Sequence, residues 1–304
     1  MKSTVFRAIL VVVLGIGFLL LWAGTRVNED ELRISWEIAP APPFVFGIIP
    51  YISGPELSRE FDPLMVFLEK NLERPVKLLV ASDYEMLGKL LDYGKVHVAW
   101  FSTASFENLN RSGDWEVLCR PMRTGTIRHR GIILSRVDRG FNSLKDLQGK
   151  TFGYVDRNSG TGYVYANRMM VEQGIDPLNF FGKIDFSGNH SISIDRLRQG
   201  QYDAIATMDV FTTPGLIRED ERGDFRMLGA TQWILNDPMV VRKDMAPVAK
   251  KQLLDLFVAM KRFPGGPETL AHLQDLRNWE RFVDENEIQN GSFRLLGGGG
   301  PSGN

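Results

Sequence analysis

The chain has 304 residues, 43% of them hydrophobic and 24% charged, and a formal net charge of -1. That length suffices for two domains or lobes, and the charge balance offers no basic field of the kind nucleic acid requires, so no nucleic-acid partner is expected. The single cysteine, Cys119, permits no internal disulfide and no cysteine-rich zinc site; lying in an apolar run, it reads as a buried structural thiol.

Taken in chain order, the first element is an apolar run from Ala8 to Ala23 preceded by Lys2 and Arg7. A positive flank before such a run directs the downstream chain out of the cytoplasm. The residues that a signal peptidase would need to be small include Leu21 and Trp22, so residues 1–24 read as a signal anchor or an uncleaved signal peptide. No cysteine directly follows the run, so a lipoprotein anchor is not expected. Residues 25–43 are charged and then rich in proline, and read as a linker. Residues 291–304 are rich in glycine and read as a flexible tail.

Between these ends, strand-like and helix-like segments alternate. The run from Phe44 to Ile49 is strand-like. Ser53 to Glu56 has capping-box spacing, and Leu57, Phe61, Leu64, Leu68 and Leu72 follow at helical intervals. Val76 to Ala81 is the next strand, and Ser82 to Glu85 a second capping box. Val96 to Phe101 is a third strand and runs into Ser102–Ser105, which should open a helix. After Gly131–Leu134, a short capped helix at Ser143–Leu147 and a strand at Lys150–Val155, a further helix-to-strand step ends at Thr207–Asp209. Strands separated by helices of this length imply parallel pairing and an α/β architecture.

The densest signal is the stretch from Val155 to Tyr163, which joins a strand to a helix through Ser159, Gly160, Thr161 and Gly162. A helix N-terminus carries unpaired N–H groups and a partial positive charge, so this turn is a natural anion cradle. The alternative is that Ser159 or Thr161 simply caps the helix. In open α/β sheets, ligands sit beyond the carboxyl ends of strands, and Tyr51, Ser102, Thr103, Ser159, Thr161 and Asp209 all follow predicted strands. Arg123, Arg128, His129 and Arg130 form a basic cluster that reads as a solvated face. No nucleophile elbow, metalloprotease motif, Walker loop or dinucleotide fingerprint is present, and an enzyme is not expected.

From about Phe44 to Met260 the chain resembles the phosphate, phosphite and phosphonate-binding proteins of ABC transporters. The resemblance lies in Phe46–Pro50, in Tyr84–Leu91 with Gly94–Phe101, in Ser143–Lys150, in Ser159–Tyr163, and in Ser187–His190 with Gly200–Ala204. It implies a two-lobed α/β periplasmic binding protein fold of type II, here with an N-terminal membrane segment. Residues 44–124 and 236–290 would form one lobe and residues 125–235 the other. It further implies that Ser159 and Thr161, with backbone amides around Gly160, donate to an oxyanion from the second lobe, and Ser102 and Thr103 from the first. Tyr51 and Tyr84 would cover the ligand, His190 would donate to it or orient a neighbour, and Asp209 would accept from a protonated ligand oxygen or an amine. Gly160 departs from the family's threonine, which removes one donor. The expected partners are a small oxyanion, the permease subunits of a transporter and the membrane. The molecule would act as a monomer without a cofactor, on the periplasmic face of the inner membrane. An anchored anion sensor reporting to a separate signalling protein is the alternative.

Overall fold

The computed structural model describes residues 42–290, so the N-terminal apolar segment and the glycine-rich tail fall outside the described residues. Among the described residues no helix is long and apolar enough to cross a membrane. The chain begins with β1 (Phe44–Ile48), α1 (Gly54–Leu72), β2 (Val76–Val80), α2 (Tyr84–Asp92), β3 (Val98–Trp100), α3 (Thr103–Leu109), β4 (Trp115–Arg123) and the short β5 (Arg128–His129). A second series comprises β6 (Gly131–Arg136), β7 (Thr151–Tyr154), α4 (Tyr165–Glu172), α5 (Pro177–Phe180), β8 (Lys183–Phe186), α6 (His190–Arg198), β9 (Ala204–Met208) and β10 (Phe225–Ala230). The chain then returns through β11 (Ile234–Leu235), β12 (Met239–Arg242), α7 (Pro247–Val258), α8 (Gly266–Arg277), β13 (Trp279–Val283) and α9 (Glu285–Gln289).

These strands make a six-stranded sheet in the order β13-β4-β12-β3-β1-β2 and a five-stranded sheet in the order β10-β6-β9-β7-β8. β1 lies between β2 and β3 and is parallel to both, and β7 lies parallel to β8 and β9. Covered on both faces, β1 needs apolar residues throughout, and Phe44, Phe46 and Ile48 are all buried. The parallel pairing expected from sequence does not extend to β6 and β12, which are antiparallel to both of their neighbours. Each enters its sheet directly from a crossing between the sheets, with no helix to carry the chain back to the starting edge. The two crossings are themselves joined by antiparallel pairing of β5 with β11.

Helix starts follow the local chemistry. Glu56 accepts from the Ser53 amide at 3.2 Å, which closes the N-terminus of α1, and Leu57, Phe61, Leu64 and Leu68 face the sheet. The second start differs from the sequence expectation: Asp83, not Ser82, caps α2, accepting from the Met86 amide at 2.7 Å, so Tyr84 becomes the first helical residue. An aromatic wall of Trp100, Trp279, Phe61 and Tyr51 closes one side of the six-stranded sheet, Trp100 and Trp279 meeting edge to face at 5.0 Å. Cys119 is fully buried in β4 and burial pushes its thiol well up, consistent with a structural thiol.

Candidate ligand-binding cavity

Strand ends from both sheets converge on an enclosed cavity of about 30 Å³. Its walls include Tyr51, Tyr84, Ser102, Ser159, Gly160, Thr161 and His190, all singled out from sequence. They also include Arg123, His129, Asp237 and Arg277, which were not, and the apolar residues Ile49, Trp100 and Met208. Tyr84 and Ser159 are each 1% exposed and His190 2%, so these polar groups are shut away from bulk water.

The Ser159 turn is wound more widely than an α-helix. The Val164 amide donates to the Ser159 carbonyl at 3.0 Å, five residues back, and the Tyr165 amide reaches the Gly160 carbonyl in the same way. Such π-type turns recur at functional sites. Ser159 does cap this turn: its Oγ accepts from the Gly162 amide at 3.1 Å. The capping and cavity-lining roles therefore coexist at one residue. The Thr161 hydroxyl makes no hydrogen bond to a described residue. Space at Gly160 is tight, since a Cβ there would lie 3.2 Å from the Tyr165 ring, which would have to shift by a few tenths of an ångström. The departure from threonine thus leaves that ring undisturbed.

From the other sheet, Ser102 caps α3 by accepting from the Ser105 amide at 3.0 Å, and donates to the Asn158 carbonyl at 3.1 Å. The Tyr51 hydroxyl donates to Glu60 at 2.8 Å while its ring lies under the Arg277 guanidinium at 4.9 Å. Burial pushes the Tyr51 phenol well above its usual range, Arg277 opposing the shift, and burial does the same to Tyr84 against the nearby Ser159 hydroxyl. Both are neutral hydroxyls at any physiological pH.

His190 opens α6 behind the capping Asn189, whose side chain accepts from the Ile192 amide at 2.8 Å. Its own amide donates to the Tyr51 carbonyl at 2.8 Å, and its Nδ1 is 2.8 Å from the Thr207 hydroxyl. Burial, reinforced by the Arg277 charge, holds the imidazole down to about 3. It is a neutral ring with Nδ1 already partnered.

Two of the expected residues lie elsewhere. Asp209 is not in the cavity wall: its carboxylate accepts from Arg130 Nε at 2.8 Å and from the Phe211 amide at 3.1 Å, which fixes the turn after β9. Thr103 follows Ser102 into α3, but its Oγ1 donates to the Leu235 carbonyl at 3.0 Å and its amide to Asp237 Oδ1 at 3.0 Å. A residue one place into a helix points away from its cap, so the strand-end position that suits Ser102 does not serve Thr103.

The basic cluster is not one solvated face. Arg128 is exposed and Arg130 is spent on Asp209, but Arg123 and His129 line the cavity. Arg277 is held bidentately by Glu60 at 2.8 and 2.6 Å. Arg123 has no such partner. Its guanidinium lies 5.9 Å over the Trp279 ring, makes no hydrogen bond or ion pair to a described residue, and has an Nε sealed from solvent. Burial lowers its guanidinium somewhat, Asp237 being the main group that opposes this. His129 Nδ1 is 3.2 Å from Asn236 Oδ1, and its Nε2 is 3.8 Å from Asp237 Oδ1. Burial depresses this ring too, against Asp237. The sequence signal available for these residues was position: Arg123 and His129 bracket the first crossing, where Thr124 and Gly125 take positive φ and turn the chain back toward the cavity.

A pair of α/β sheets joined by two crossings, with a hydroxyl-rich cavity at their strand ends, is the architecture of a two-lobed binding protein. Residues 46–286 match the family described as ABC transporter, phosphonate, periplasmic substrate-binding protein, and the chain belongs to that family. It is 24% identical over 259 residues to the phosphonates-binding periplasmic protein of Escherichia coli K12, a match covering 83% of this chain and 75% of that one. It is 26% identical over 191 residues to the phosphate-import protein PhnD of Mycolicibacterium smegmatis, covering 59% of this chain and 58% of the relative. Among solved structures, a binding protein component of an ABC phosphonate transporter from Pseudomonas aeruginosa superposes with a TM-score of 0.70 at 21% identity, covering 82% of this chain and 84% of that one. PhnD1 from Prochlorococcus marinus, in complex with methylphosphonate, superposes with a TM-score of 0.69 at 18% identity, covering 82% of this chain and 97% of that one.

Proposed function

We propose that this chain captures a small tetrahedral phosphorus oxyanion, such as phosphate, phosphite or methylphosphonate, in the cavity between its sheets and delivers it to a transporter permease. The observation that carries this is the convergence of the Ser159–Thr161 turn with Tyr51, Tyr84, Ser102 and His190 on one enclosed cavity. A charged oxygen accepting several short hydrogen bonds there gains about 1.5–3 kcal/mol from each. The small volume, about 30 Å³, favours a ligand of a few heavy atoms. Residues 44–124 with 236–290 would move as one lobe and residues 125–235 as the other, hinged at the paired β5 and β11. The His190 amide to Tyr51 carbonyl bond, at 2.8 Å, and the Ser191 hydroxyl to Glu56 bond, at 3.0 Å, belong to the closed arrangement and would break on opening. No observation favours the sensor alternative.

A thermal-shift series with phosphate, phosphite, methylphosphonate, aminoethylphosphonate, sulfate and taurine tests this reading. A true ligand at 100 times its dissociation constant stabilises the protein by about 2.7 kcal/mol. Stabilisation by sulfate or taurine and by none of the phosphorus oxyanions contradicts it. The protein acts as a monomer in this scheme, held at the periplasmic face by residues 1–24. The support for the anchor is the sequence around Lys2, Arg7 and Trp22. Mass spectrometry of the native N-terminus decides it, a mature soluble form beginning near Thr25 being the contrary result.

A further inference from the structure

We infer that Arg123 and Asp237 are the two charged poles of the cavity and that together they select an oxyanion carrying both an ionised oxygen and a P–OH group over a sulfonate of the same shape. The inference rests on the phosphorus-oxyanion reading and moves the proton-reading role away from Asp209, whose carboxylate is occupied by Arg130 at 2.8 Å. Three charged side chains line the cavity, Arg123, Asp237 and Arg277, and Glu60 stands behind Arg277. Arg277 and Glu60 neutralise one another through two hydrogen bonds, at 2.8 and 2.6 Å. That leaves Arg123, whose guanidinium has a sealed Nε and no hydrogen-bonding partner among the described residues, and Asp237. A guanidinium stays charged even when buried, so it cannot escape the cost of desolvation by giving up its proton. An unpaired buried donor of this kind calls for a partner, and an anionic ligand oxygen supplies one.

Asp237 offers the complement. Its Oδ1 accepts from the Thr103 amide at 3.0 Å, while its Oδ2 has no hydrogen-bonding partner among the described residues. His129 Nε2, at 3.8 Å from Oδ1, is too far to satisfy the carboxylate, and burial favours the neutral form of that ring. A free carboxylate oxygen on an anion cavity repels a ligand that has only bare oxygens and accepts from one that still carries a proton. Hydrogen phosphate, hydrogen phosphite and alkylphosphonate monoanions meet both poles, whereas sulfonates carry no proton near neutral pH.

Calorimetric titration of the full chain with methylphosphonate and with methanesulfonate, which share one tetrahedral outline, tests the assignment. Wild type is expected to prefer methylphosphonate by about 100-fold, the scale of one charge-assisted hydrogen bond gained and one repulsion avoided. Arg123→Gln should weaken methylphosphonate by about 100-fold, and Arg123→Lys by less. The melting temperature of ligand-free Arg123→Gln should fall little, because the lost guanidinium has no hydrogen bond or ion pair and gives up only its contact with the Trp279 ring; a residue serving only the fold would lower it clearly. Asp237→Asn keeps an acceptor for the Thr103 amide and should shrink the preference to below about tenfold, with methanesulfonate gaining. Arg123→Gln binding as tightly as wild type, or Asp237→Asn keeping the full preference, overturns the inference while leaving the phosphorus-oxyanion reading standing. Wild type that binds no phosphorus oxyanion overturns both.

Discussion

His190 should make the protein acid-sensitive in a defined way. The ring is 2% exposed, and burial together with the Arg277 charge brings it from 6.5 to about 3. In the unfolded chain it titrates near 6.5. Between those values the unfolded state binds a proton that the folded state refuses, so stability rises with pH across the window and is lost on acidification from about 6.5 down to about 3. At about 1.4 kcal/mol per tenfold, the full loss is about 5 kcal/mol, and at pH 5 about 2 kcal/mol has gone. Other groups titrate over the same range, so the useful quantity is a difference. Urea unfolding of wild type and His190→Gln is measured at pH 7.5 and at pH 5. Gln can still meet the Thr207 hydroxyl but does not titrate. Wild type should lose about 2 kcal/mol relative to the variant between the two conditions. A gap that stays constant within about 0.5 kcal/mol refutes the reasoning and shows that the ring gains its proton without cost in the folded state.

Three further substitutions separate binding from folding. Ser159→Ala with Thr161→Val should weaken ligand binding by up to about 3–6 kcal/mol in calorimetry, less where water replaces the hydroxyls, while loss of the Ser159 cap costs the fold about 0.5–2 kcal/mol; a folded variant that binds like wild type returns the turn to capping alone. Asp209→Asn should lower stability by about 1–3 kcal/mol through the Arg130 contact yet leave affinity unchanged, and a selective loss of affinity would put Asp209 back at the ligand. Glu60→Gln should destabilise by about 3–5 kcal/mol in urea unfolding, since it leaves Arg277 a buried charge without its counter-ion, and a change under about 1 kcal/mol would show that Tyr51 and solvent already satisfy it.

The alternating α/β pattern and the Ser159 turn were legible because their causes are local: capping residues, apolar periodicity and glycines in fixed order. Ser102, Tyr51 and His190 were reachable by the same logic, each sitting at a strand end or helix start. Arg123, His129, Asp237 and Arg277 were not. Arg123 ends a strand that reads as polar at its tip, and Arg277 ends a helix, where a basic residue is ordinary. Their convergence is non-local, set by the pairing of β5 with β11 and the return of α8 against the aromatic wall around Trp279. Asp209 and Thr103 erred in the other direction. A strand-end position brings a residue near the cavity, but whether its side chain is free depends on Arg130 and Leu235, both distant in sequence. The antiparallel insertion of β6 and β12 has no local signal for the same reason, since each strand's direction is set by where its crossing enters the sheet.

Occupation of the cavity by one small phosphorus oxyanion is the central claim, and phosphorus NMR of methylphosphonate titrated with the purified protein tests it most directly. A distinct bound resonance is expected, saturating at one ligand per chain, displaced by phosphate, and lost or weakened in the Ser159→Ala, Thr161→Val variant. A methylphosphonate signal that stays unchanged in position and width up to millimolar protein, with phosphate and phosphite equally silent, would contradict it.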